Sequence, residues 1–301
     1  MRSTASGRRE RFPITMRPML FLLNHHHDDD HDDHGGLHRD LNATGSAMGR
    51  REVLRRFAFG AGALALLGCS DAGTGVQATG DTTIDTGGTD AGNATCSRIP
   101  SETEGPFPGD GSNGANVLNQ TGVVRSDIRS SFAGLSGSAT GVPLTIRLAL
   151  VSASSCAPLA GRAVYLWHCD ALGRYSLYSS GVTNQNYLRG VQEADANGVV
   201  AFTSIYPGCY SGRWPHIHFE VYPTLASSTK VSNKIATSQI ALPKAANDVV
   251  YATSGYSGSA ANASRITLAT DGVFSDGAAL ELATVTGSVA SGLVAALTVA
   301  V

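Results

Sequence analysis

Between residues 143 and 301 the chain breaks into eight short runs rich in β-branched and aromatic residues, none longer than ten residues. They are PLTIRLALV (143–151), RAVYLWHC (162–169), VVAFTSIY (199–206), HIHFEVY (216–222), SQIALP (238–243), RITLA (265–269), ALELATV (279–285) and GLVAALTVAV (292–301). Most alternate polar and apolar residues at a period of two, as strands with one buried face do. Turn signals such as DANG (195–198) and TDG (270–272) separate them, and no convincing helical periodicity intervenes. The spacing predicts an all-β fold, an antiparallel β-sandwich of seven or eight strands.

The N-terminal third is of another kind. From Met48 the chain reads MGRREVLRRFAFGAGALALLGCS, with Arg50 and Arg51 ahead of an uncharged stretch from Phe57 to Leu67 and then Cys69. Eleven residues are about half of what a membrane-spanning helix needs. RREVLR resembles a twin-arginine export signal and LLGC a lipoprotein cleavage box, which implies lipidation of Cys69 and an exported, envelope-anchored protein. Ser70, rather than Asp, after the cysteine hints at the outer membrane. Residues 1–47 precede this signal and contain HHHDDDHDDH (25–34). A His/Asp tract is able to bind metal, but its place upstream reads as an over-extended start or leader. Residues 48–68 are then the signal, 69–95 a Gly/Thr/Asp-rich tether and 96–301 the folded domain.

From Cys69 onward the chain carries 12 basic and 16 acidic residues with no basic stripe. That makes nucleic acid an improbable partner. Besides Cys69 there are four cysteines, at 96, 156, 169 and 209. An even number in an exported protein suggests disulfides, with three pairings open.

GRWPHIHFEV (212–221) carries the chemistry. On a strand, His216, His218 and Glu220 share one face while Ile217, Phe219 and Val221 point to the core. Two imidazoles two residues apart leave the backbone roughly 6.6 Å apart, a span that two metal bonds of about 2 Å close. Glu220, roughly 13 Å from His216, is too far to join them. Only His168 remains as a further histidine in the mature chain, and it reads as structural. Tyrosines surround the pair: Tyr210, Tyr175 and Tyr178. Two phenolates with two imidazoles suit a hard trivalent cation better than Zn²⁺ or Cu(I). Fe³⁺ with two phenolates and a hydroxide is also neutral, which limits the cost of burial.

TEGPFPGDG (103–111), VYLWHCDALGRYSLYS (164–179) and FTSIYPGCYSGRWPHIHFEV (202–221) together resemble the intradiol ring-cleavage dioxygenases, especially exported members. The resemblance runs from about residue 97 to 301. It implies an immunoglobulin- or prealbumin-like β-sandwich holding non-haem Fe(III) on Tyr175, Tyr210, His216 and His218, with Tyr178 the second choice to Tyr175. It further implies that Tyr210 leaves the metal when catechol binds, and that Arg213 stabilises negative charge on the ring. Gln239 and Phe107 are candidate pocket residues. The substrates would be a small aromatic diol and O₂, and the product a cis,cis-muconate-type diacid. The N-terminal helical dimerisation domain of the cytoplasmic catechol-cleaving members is not visible, and the sequence leaves open the oligomeric state and the choice of catechol. Two other readings compete. One is a zinc hydrolase using the same histidines, which the tyrosines disfavour; the other is a catalytically silent β-sandwich lipoprotein that binds a small ligand.

Overall fold

The computed structural model describes residues 96–301. The leader, signal, tether and Cys69 lie outside the described residues. Eight strands form two four-stranded sheets: β1 (Pro143–Val151), β2 (Ala163–Trp167), β3 (Arg189–Glu193), β4 (Val199–Ile205), β5 (His216–Tyr222), β6 (Ala236–Ala241), β7 (Thr284–Ser288) and β8 (Gly292–Ala300). One sheet has the order β4-β1-β8-β7 and the other β3-β2-β5-β6. All pairings are antiparallel except β1 with β8, which run parallel with Leu144 opposite Leu293. The expected antiparallel sandwich holds, with this one parallel pair as a departure. β8 also pairs antiparallel with β7 on its other edge.

The two sheets bury their facing sides in one core. Leu144, Ile146, Leu148 and Leu150 of β1 meet Val164 and Leu166 of β2 and Ile217, Phe219 and Val221 of β5 there. The period-two reading of 143–151 and 216–222 is borne out. β2 and β5 are buried on both faces, however. The second face of their sheet carries Tyr165, Trp167 and Tyr222, and Val117, Leu118, Val123 and Phe132 of the preceding loops cover it. The histidine face of β5 therefore looks into protein and not into water.

Arg189, at the start of β3, fastens part of that cover. Its fully buried guanidinium donates to the carbonyls of Phe107, Pro108 and Ser176, and to Ser176 Oγ and Tyr165 Oη. Two of these bonds hold the backbone of Phe107 and Pro108 against the sheet.

The remaining differences are local. β3 has the unpromising sequence RGVQE and escapes a pattern search. RITLA is a turn segment whose Ile266 and Leu268 pack against Trp214, Val273 and Phe274. A turn that puts two apolar side chains on one side mimics strand alternation. After Pro243 comes a helix, α1 (Lys244–Tyr251), burying Asn247, Val250 and Tyr251 at the i, i+3, i+4 spacing, and then a short α2 (Ser259–Ala263). Of the four cysteines, Cys96 and Cys156 form a disulfide. Cys169 and Cys209 are buried free thiols, so a second bridge is not formed. Their sulfurs face the carbonyls of Gly208 and Arg213, and burial pushes the Cys209 thiol up to about 12.

Candidate metal centre

β5 delivers His216 and His218 side by side, with Nε2 to Nε2 at 3.1 Å. The loop after β2 brings Tyr175 Oη to 3.3 Å from His216 Nε2, and the β4–β5 loop brings Tyr210 Oη to 3.2 Å from the same nitrogen. All four side chains are buried. The His216 Nδ1–H donates to the Trp214 carbonyl at 2.5 Å, which leaves Nε2 with its lone pair aimed at the cluster. His218 is held differently. Its ring lies flat on Trp167, its register partner on β2, with centroids 5.0 Å apart and planes 6° apart. Tyr165 stacks behind Trp167. The Nδ1 of His218 makes no hydrogen bond, although the Thr103 carbonyl lies near enough to favour its proton.

Burial first, and the nearby Arg213 charge second, hold His216 well below its ordinary pKa. His218 is lowered in the same direction by burial, then by His216 and Arg213. Both imidazoles are therefore neutral, the form that ligates metals. A single lone pair on His216 Nε2 cannot accept from every group that crowds it. Neighbouring donors in a coordination shell with bonds of about 2 Å stand about 3 Å apart, the separation found here. Among the described residues no group of three or more His, Cys, Asp or Glu forms. The donor set is two imidazole nitrogens and two phenol oxygens, and it fits a hard metal ion.

The other sequence candidates fall on both sides of this centre. Arg213 is fully buried, its Nη1 3.5 Å from His216 Nε2 and its Nη2 donating to Gln239 Oε1 at 2.7 Å. Gln239 sits on β6 opposite His218, and its amide donates to the Thr103 carbonyl. The Phe107 ring packs on Tyr175, centroids 4.9 Å apart, and so lies against the cluster. Tyr178 is not part of it: its hydroxyl donates to Asn113 Oδ1 and accepts from the Gly109 N–H. Glu220 is buried away from the pair, bound by Lys234 and the Tyr222 hydroxyl.

Sequence reasoning missed Trp167, Thr103 and Asp271. The parallel stack of Trp167 depends on strand register. Asp271, which accepts from Arg213 Nε at 3.0 Å, lies in the TDG segment that reads as an ordinary turn.

His168 is structural, as its sequence reading has it. Its Nδ1 donates to the Cys169 carbonyl and its Nε2 accepts from Ser204 Oγ, both at 2.7 Å. Burial lowers its pKa from 6.5 to about 4. The unfolded chain thus takes up this proton first, and folding loses roughly 3 kcal/mol as pH falls from 6.5 to 4. Glu220, raised to about 7 mainly by burial, titrates in the opposite sense, but it is common to wild type and variant. Urea unfolding at pH 7 and pH 4 is expected to show His168→Gln losing its disadvantage by about that amount at the lower pH. An unchanged gap between the two proteins would contradict the assignment.

Comparison with known proteins places this geometry among relatives. Residues 125–230 match the family Dioxygenase_C, described as "Dioxygenase". An intradiol ring-cleavage dioxygenase from Tetranychus urticae superimposes with a TM-score of 0.55 at 25% identity, over 68% of this chain and 94% of that one. A second solved dioxygenase gives 0.54 at 26% identity with the same coverage. No curated protein matches the chain.

Proposed function

We propose that this chain, an oxidoreductase of the intradiol ring-cleavage dioxygenase kind by its matched segment and its fold, holds Fe(III) and opens catechol-type aromatic diols with O₂. The observation that carries the reading is the convergence of Tyr175, Tyr210 and His218 on His216 Nε2 within 3.1–3.3 Å. Those four residues would hold the iron. Iron held there would supply a Lewis acid that draws electron density from a bound aromatic diol.

The remaining work falls to the chain. As a phenolate, the Tyr210 oxygen would be able to take one hydroxyl proton from an entering diol, becoming a neutral phenol as the diol gains the matching negative charge. The Trp214 carbonyl holds the His216 Nδ1 proton and leaves its Nε2 lone pair facing inward, while the stack on Trp167 holds the plane of the His218 ring. Arg213 cannot lose its proton, so it presents a permanent planar cation to a flat anion. Gln239 and Phe107 close the flanks, and burial keeps water from the reacting ring. Both oxygen atoms enter the product as the bond between the hydroxylated carbons breaks, so diol plus O₂ balances as one dicarboxylic acid. Two tyrosine donors speak against the zinc reading, and intact candidate ligands against a silent binding protein.

The protein would act outside the cytoplasm, tethered through lipid on Cys69. A Cys69→Ala chain is then expected in the soluble envelope fraction, and its retention in membranes would refute the anchor. For the chemistry, the full chain is purified aerobically and its visible spectrum, iron content and catechol-dependent O₂ uptake are recorded. A broad charge-transfer band that shifts on adding catechol, with O₂ consumed, is the expected result. A folded protein that stays colourless after Fe(III) reconstitution overturns the reading.

A further inference from the structure

We infer that Asp271 is a positioning residue for Arg213, holding the guanidinium so that its Nη1 edge faces the metal centre. The inference rests on the reading of that centre as a catechol-cleaving site. Arg213 and Asp271 both have side chains with no solvent exposure. The guanidinium is gripped by Asp271 Oδ2 on Nε at 3.0 Å and by Gln239 Oε1 on Nη2 at 2.7 Å. These grips on different edges fix both the plane and its rotation, and they leave Nη1 directed toward His216 Nε2.

The carboxylate is itself immobile. Asp271 Oδ2 also accepts from the Trp214 N–H at 2.7 Å, while Oδ1 accepts from the Val273 and Phe274 N–H groups at 2.8 and 3.1 Å. The Phe274 ring lies beside the guanidinium, with the arginine Cζ 5.9 Å from its centroid. Three backbone donors thus anchor the acid before it meets the arginine, which makes it a fixed post and not a mobile counter-ion. Pairing also removes the penalty of a lone buried cation. A second route exists in principle: Asp271 holds the Trp214 N–H and Trp214 holds His216, so the acid could act through the histidine instead. A purely loop-closing role is the third account.

A double-substitution cycle on the iron-loaded full chain separates these. Asp271→Asn, Arg213→Met and the double variant are compared for kcat and KM with catechol, for anaerobic catechol binding read from the visible band, and for thermal midpoint. Asp271→Asn is expected to lower kcat/KM by about 10–100-fold, the range for loss of an outer-shell partner. Arg213→Met is expected to lose a similar factor and the double variant no more than Arg213→Met alone. Catechol binding should weaken in step, while the double variant recovers thermal midpoint relative to Asp271→Asn.

Multiplicative losses in the double variant would overturn the inference in favour of the histidine route. So would wild-type kinetics in Asp271→Asn, or a loss of midpoint with kcat unchanged. If Asp271→Asn alone does not fold, a folded double variant supports the inference and an unfolded one refutes it. Wild-type protein that consumes no O₂ with catechol fails the functional reading itself. Active wild type beside an unaffected Asp271→Asn fails only the inference.

Discussion

His218→Ala protein is expected to fold and, with the centre holding iron as proposed, to lose that metal and ring cleavage together. Outer-shell partners of a metal site cost 10–100-fold in affinity or activity when removed, so loss of a direct ligand should exceed about 100-fold. The substitution also empties the space against Trp167, whose ring stacks flat on this imidazole. A cost of about 1–3 kcal/mol in stability follows, a fall of several degrees in thermal midpoint for a domain of this size. Ligand loss and packing loss are therefore separable: iron content and catechol-dependent O₂ uptake collapse while the far-ultraviolet circular dichroism of the sheets stays. Retention of stoichiometric iron and colour by this variant would remove His218 from the ligand set.

Arg189→Met should do the reverse, striking the fold before the chemistry. The buried guanidinium satisfies three backbone carbonyls, those of Phe107, Pro108 and Ser176, along with the hydroxyls of Ser176 and Tyr165. A methionine of similar length fills the space but takes their donor from the Phe107 and Ser176 carbonyls, while Pro108 keeps the Tyr165 hydroxyl, at about 1–3 kcal/mol for each acceptor that water cannot reach. The expected loss is about 3–5 kcal/mol, or roughly 10 °C in thermal midpoint. Arg189→Lys should rescue little, because a single ammonium cannot reach across the same set of acceptors. The Phe107–Pro108 backbone is what the arginine fastens, and it sets the Phe107 ring against Tyr175 of the candidate metal centre. Limited proteolysis should then cut this segment first in the variant. A midpoint within about 2 °C of wild type would show that the segment is held by other contacts.

The alternation in PLTIRLALV and HIHFEVY was sufficient to define two central strands and the face on which His216 and His218 stand, because period-two patterning is a local property. The donor set was legible for a related reason: imidazole and phenol are chemically distinctive, and the motifs around Tyr175, Tyr210 and the histidines keep them in recognisable order. Where local pattern and long-range packing part company, the sequence misleads. RITLA alternates like a strand, yet its apolar residues fill a turn against Trp214 and Phe274. RGVQE alternates poorly, yet pairs with β2 because Arg189 has buried acceptors waiting.

By itself, then, the sequence determined the sandwich class, the face of β5 that bears the histidines, the candidate ligand residues and the absence of a basic surface after Cys69. Each follows from local periodicity, residue chemistry or charge. The sequence ranked Tyr175 ahead of Tyr178, but only the tertiary structure set it beside His216, paired Cys96 with Cys156 and let Asp271 grip Arg213. These contacts join residues 41, 60 and 58 positions apart. At such separations the chain's path through space, and not its local propensity, chooses the partner.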